Sequence, residues 1–73
     1  MNENSPKRLR FKRLAEQRTN AVLKKLKVLG NCSNRSAYEY GEQEINRIFS
    51  EIDRRLKEIR HKFHFPKERD FKL

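Results

Sequence analysis

Tryptophan is absent from this sequence, and cysteine, proline and glycine are nearly so: one, two and two in 73 residues. The lone Cys32 excludes an intramolecular disulfide and fits a reducing compartment. With glycine confined to Gly30 and Gly41, no glycine-rich loop can cradle a phosphate. No apolar run approaches the roughly 18 residues needed to cross a bilayer. The N-terminal stretch MNENSPKRLRFKR lacks the apolar centre of a signal peptide, so a cytoplasmic location is expected. A chain this short, 34% hydrophobic and 40% charged, allows one small domain at most and excludes a two-domain enzyme.

What remains is periodic. Residues 1–5 are polar and are expected to be disordered. Ser5-Pro6 then signals a helix start, because Ser caps well and Pro is tolerated at the first helical position. Phe11, Ala15, Thr19, Val22, Leu26 and Leu29 recur at helical spacing on one face. Gly30 reads as a left-handed residue closing that helix at about 6–29. Residues 31–41 carry turn chemistry, and Ser36-Ala37-Tyr38-Glu39 fits a capping box. Gly41 is a plausible N-cap for the next helix, with Glu42 and Glu44 in its first turn and Tyr40 and Ile45 placed as a hydrophobic staple. Ile45, Phe49, Ile52, Leu56, Ile59 and Phe63 then step by four and three residues. They form an a/d seam widened by Ile48 and define a second helix at about 42–64, ended by Pro66.

The spacing therefore predicts an all-α domain over 6–65. It would be an antiparallel two-helix hairpin pairing Leu29 with Ile45, Leu26 with Phe49, Val22 with Ile52, Ala15 with Ile59 and Phe11 with Phe63. The core seam is Ile45, Phe49, Ile52, Leu56, Ile59 and Phe63. Leu9, Leu14, Leu23 and Ile48 would be poorly covered, so a homodimer or a partner is expected to complete the fold. Residues 66–73 read as a mobile tail, with Phe71 as an anchor.

Charge is unevenly spread. Residues 1–29 hold nine Lys/Arg and two Glu, whereas residues 42–73 hold nine Lys/Arg and seven Asp/Glu. The second helix is predicted to neutralise itself through i,i+4 pairs: Arg47–Glu51, Glu51–Arg55, Asp53–Lys57, Arg54–Glu58 and Glu58–Lys62. The first helix has no such relief. Lys7, Arg8, Arg10, Lys12, Arg13, Arg18, Lys24, Lys25 and Lys27 are its candidate phosphate contacts, because a polyanion would relieve their mutual repulsion and release its own counterions. The bland alternative is charge kept for solubility. Asn34, Arg35 and Tyr38 are weaker candidates for base or partner contacts. Tyr40 and the loop Asn and Ser side chains are better read as structural.

Catalytic and metal readings fail on composition. His61 and His64 share a helix face but lack the further convergent ligands a metal needs. Cys32 has no neighbouring base in sequence, and no Ser-His-Asp set or buried carboxylate pair can be assembled. No cofactor is expected. A membrane surface suits the basic first helix poorly, since Ala15 and Thr19 interrupt its apolar face. The expected function is a non-enzymatic binding protein for nucleic acid or a ribonucleoprotein. The alternative is a small interaction regulator or inhibitor that docks on an acidic protein surface. A three-helix DNA-reading motif with a short turn is not present.

The stretch 18–52 (RTNAVLKKLKVLGNCSNRSAYEYGEQEINRIFSEI) resembles a group of small basic helical proteins from bacterial and mobile-element genomes. The string from Leu29 to Tyr40, Leu-Gly-Asn, then Ser-Asn-Arg-Ser, then Tyr-Glu-Tyr, carries the resemblance. It implies a folded helical domain and assigns no functional residue. Gly41 stands where the pattern leads one to expect Thr, a stronger N-cap.

Overall fold

The computed structural model describes residues 5–63, 65 and 73. The chain is all-α: helix α1 spans Pro6–Gly30, a short 3-10 turn spans Asn31–Ser33, and helix α2 spans Glu42–Arg60. No strand occurs among the described residues. The chain divides into two units, Met1–Glu39 with α1 and Tyr40–Leu73 with α2.

In the first unit, Ser5 starts α1 as its sequence predicts. Its backbone is extended, and its Oγ accepts from the Arg8 N–H at 3.1 Å, while its carbonyl accepts from the Leu9 N–H at 3.0 Å. Pro6 occupies the first turn, where its missing N–H costs nothing. The other end differs from the left-handed stop read at Gly30. Gly30 is right-handed helical, φ −59° and ψ −27°, and none of the described residues other than glycine, and neither glycine, has a positive φ. Helix α1 instead tightens into the 3-10 turn, whose i→i+3 bonds satisfy the terminal carbonyls without a left-handed residue. The Asn34 N–H closes it on the Asn31 carbonyl at 3.5 Å.

The turn that follows is organised by Asn34, not by the Ser36 capping box. The Asn34 Oδ1 accepts from the Ser36 N–H at 3.0 Å. Its carbonyl accepts from the N–H groups of Ala37 and Tyr38 at 3.1 and 2.9 Å. A side-chain oxygen two residues upstream thereby mimics a backbone turn.

In the second unit, Gly41 is extended, φ −105° and ψ 159°, and its N–H donates to Glu44 Oε1 at 2.9 Å. This is the glutamate half of a capping box; a glycine has no hydroxyl with which to supply the other half. Glu42 and Glu44 sit in the first turn, and Lys57 and Arg60 in the last, each sign matching the helix dipole. Helix α2 ends at Arg60, four residues before the predicted boundary. There the bonding shortens: Lys62 N–H donates to Ile59 at 3.0 Å and Phe63 N–H to Arg60 at 3.1 Å. Phe63 thus lies in the turn beyond the helix. The aromatic run before Pro66 favours leaving the helix early. His64, Pro66 and Phe71, and with them the tail, lie outside the described residues, as do 1–4 of the N-terminal segment.

No described residue is buried. Ile45 and Ile52 of the predicted core seam are half-buried, while Phe49, Leu56 and Ile59 keep 50%, 52% and 50% of their surface exposed. At about 100° per residue the six apolar side chains of α2 fall within an arc of about 100°. Those of α1 are scattered, with Leu9, Leu23 and Val28 exposed away from its main stripe.

The two glycines make opposite readings testable. A Cβ on Gly30 would meet nothing within 4 Å. Gly30→Ala is expected to raise stability by about 0.5–1 kcal/mol in thermal unfolding followed by circular dichroism. A left-handed Gly30 would give a loss instead. Gly41→Ser, whose new Cβ would sit 3.5 Å from Glu44 Oε1, is expected to add a few tenths of a kcal/mol.

Candidate functional site

The candidate contacts all belong to one unit. Lys7, Arg8, Arg10, Lys12, Arg13, Arg18, Lys24, Lys25 and Lys27 lie on α1, and Asn34, Arg35 and Tyr38 lie in the turn that follows it within Met1–Glu39. The seam residues lie in the other unit.

Helix α1 holds nine cations and one acid, Glu16. Among the described residues no ion pair involves any of them. The cations run for about 30 Å along the axis at 1.5 Å per residue. Five of the nine, Arg10, Lys12, Arg13, Lys24 and Lys27, fall within about half the circumference, away from the stripe of Phe11, Ala15, Val22, Leu26 and Leu29, while Lys7, Arg18 and Lys25 flank one edge of that stripe. Eight are exposed. The exception is Arg8, which is half-buried and sits with its Cζ 5.8 Å from the centroid of the Phe11 ring. A guanidinium at i over an aromatic ring at i+3 is a cation–π contact. The Arg-x-x-Phe spacing carries that signal in the sequence, and it sets Arg8 apart from the other candidate phosphate contacts. The first turn of α1 contains no acid, so Lys7 and Arg8 lie at the positive end of the helix dipole, where cations are disfavoured.

The turn residues divide by role. Asn34 has its Oδ1 and its carbonyl engaged in holding the turn, which uses part of what a base contact would need. Tyr38 is 55% exposed, with its ring open to a stacking partner. Arg35, three residues before it, is also exposed. Tyr40 and Ile45, the two staple positions, are both half-buried and both lie in the α2 unit.

Helix α2 is charged but self-neutralised, with five acids and five bases. Glu51 Oε1 accepts from Arg54 Nη2 at 2.6 Å and from Arg55 Nε at 3.1 Å, and its Oε2 accepts from Arg54 Nε at 3.2 Å. Arg54 Nη1 also reaches Glu58 Oε1 at 2.8 Å, and Arg55 Nη1 lies 3.7 Å from Glu58 Oε2. Two of the predicted pairs, Glu51–Arg55 and Arg54–Glu58, are present. Glu51 turns to Arg54 at i+3 rather than to Arg47 at i−4, because a planar guanidinium can bridge both carboxylates from the position between them. No ion pair joins Asp53 to Lys57 or Glu58 to Lys62.

Hydrogen bonds from Arg54, then from Arg55, hold the Glu51 carboxyl below the usual carboxylate range. A group whose folded-state value is lowered stabilises the fold above its unfolded value and loses that contribution as pH falls through the folded one. Helicity is therefore expected to decline on acidification below the ordinary glutamate range. Glu51→Gln should flatten that part of the profile, and the decline should shrink as added salt screens these exposed pairs.

Cys32 is exposed. No group of three or more His, Cys, Asp or Glu is placed to hold a metal among the described residues. No helix among the described residues is long and apolar enough to cross a membrane. No family model, curated protein or solved structure matches this chain.

Proposed function

We propose that this chain is a non-enzymatic binding protein that contacts nucleic acid or a ribonucleoprotein through α1. One observation carries the reading: the cations of α1 form no ion pair among the described residues, whereas Arg54 and Arg55 of α2 pair with Glu51 and Glu58. Like charges spaced along one helix raise its free energy, and a polyanion removes that cost while releasing condensed counterions. Contacts from such side chains to phosphate fix position and carry little sequence information. Exposed Tyr38, close in sequence to the C-terminal end of α1, supplies a ring on which an unpaired base could stack.

Titrating a labelled oligonucleotide at several salt concentrations tests this. Affinity is expected to fall linearly on a log–log plot. For duplex DNA, replacing Arg10, Arg13 and Arg18 together with Gln should reduce the slope by about 2 to 3. Arg8→Gln alone should change it less than Arg10→Gln alone, since Arg8 is engaged with Phe11. Absence of binding at about 50 mM salt would remove nucleic acid as the target and leave an acidic protein surface as the partner for the same cations.

A further inference from the structure

The apolar face of α2 is the most concentrated in the molecule, and none of its residues is buried. Its register is that of a coiled-coil seam, with Phe49 and Leu56 at a positions and Ile45, Ile52 and Ile59 at d positions. We propose that this face is a self-association surface, on which a second copy of the chain lays its own α2 antiparallel.

Charge selects the helix that can do this. Helix α2 carries five acids and five bases, so two copies meet without net repulsion. Helix α1 carries nine bases and one acid, so two copies of α1 repel. Side-chain size points the same way. Midway along its stripe α1 offers Ala15 and Thr19, whereas a second α2 offers Ile52 and Leu56, which bring more apolar surface to each turn.

The flanking residues select the direction. In a parallel pair, Arg55 at a g position faces Arg60 at the following e position of the other copy, a like-charge contact. Antiparallel, the register that layers Phe49 on Ile52 and Leu56 on Ile45 of the second copy overlaps nearly the whole of Glu42–Arg60. It sets Asn46 beside Asp53 and Ile48 beside Arg55, with no like-charge contact. It also covers Ile48, the apolar residue that widens the seam. Glu51, Arg54 and Glu58 lie on the polar side of α2, so their ion-pair network meets this interface only through Arg55 at its edge. The association depends on α2 alone and stands apart from the nucleic-acid reading. Where both hold, one assembly brings two basic α1 segments to the same polyanion.

The full chain, with reductant present so that exposed Cys32 cannot cross-link copies, is examined by sedimentation equilibrium without nucleic acid. A dimer is expected, with a thermal midpoint that rises as protein concentration is raised from about 5 to 200 µM. Ile52→Glu should weaken association by about 100-fold or more, because it places a charge in the seam. Ser50→Glu, on the opposite side of α2, should leave association unchanged. In a Cys32→Ser background, Asn46→Cys and Asp53→Cys variants mixed and oxidised should give the mixed disulfide in excess of either symmetric one. A helical monomer whose melting does not depend on concentration overturns the proposal, whatever the fate of Ile52→Glu. Association that survives Ile52→Glu, or is lost equally in Ser50→Glu, also overturns it, and symmetric cross-links in excess overturn the antiparallel arrangement.

Discussion

The repulsion among the cations of α1 is the constraint on which the functional reading of this protein depends. Nine positive side chains on one 25-residue helix, with Glu16 as the only acid, raise the free energy of that helix in the absence of an anion. Nothing local offsets it fully. Ser5 caps the start, and Lys27 lies in the last turn where the dipole favours it, but Lys7 and Arg8 occupy the turn where it does not. The proposed polyanion would supply the negative charge that this helix lacks.

Helix α2 solves the same problem in the opposite way. Its bases alternate with acids, its termini carry the sign that the helix dipole favours, and two arginines bridge two glutamates on its polar side. These pairs are solvent-exposed, and each contributes little by itself. Their larger effect is to leave α2 with no net charge and an uninterrupted apolar stripe. Neutrality permits close approach of another neutral helix; the stripe supplies a reason for it. One helix presents unbalanced charge, and the other presents unburied carbon. The division of the chain at residues 39 and 40 keeps these two surfaces in separate units.

Much of this was legible in the residues. The existence and faces of both helices follow from apolar spacing, because a side chain every three or four residues can be gathered to one side only by a helix. The starts at Ser5 and Gly41 follow from capping chemistry, since a cap is made by neighbours in sequence. The stops were less legible. Gly30 permits a left-handed turn without requiring one, and the chain continues right-handed into a 3-10 turn. The end of α2 depends on where i→i+4 bonds yield to i→i+3 bonds, a small difference in energy that no single residue announces. At the candidate site, the nine cations were visible as composition, but the distinct setting of Arg8 over Phe11 and the use of Asn34 to hold its own turn were not.

By itself the sequence determined the class of fold, the sign and placement of the charge, and the register of the α2 seam, all of which follow from residue identity and a fixed helical period. Three-dimensional structure decided which partner each group takes. Glu51 has basic residues within reach at 47, 54 and 55, and bonds to the latter two. Asn34 and Ser36 could each have organised the turn, and Asn34 does. Such choices turn on side-chain geometry at fractions of an ångström, where several pairings of similar energy compete and only one can be made at a time.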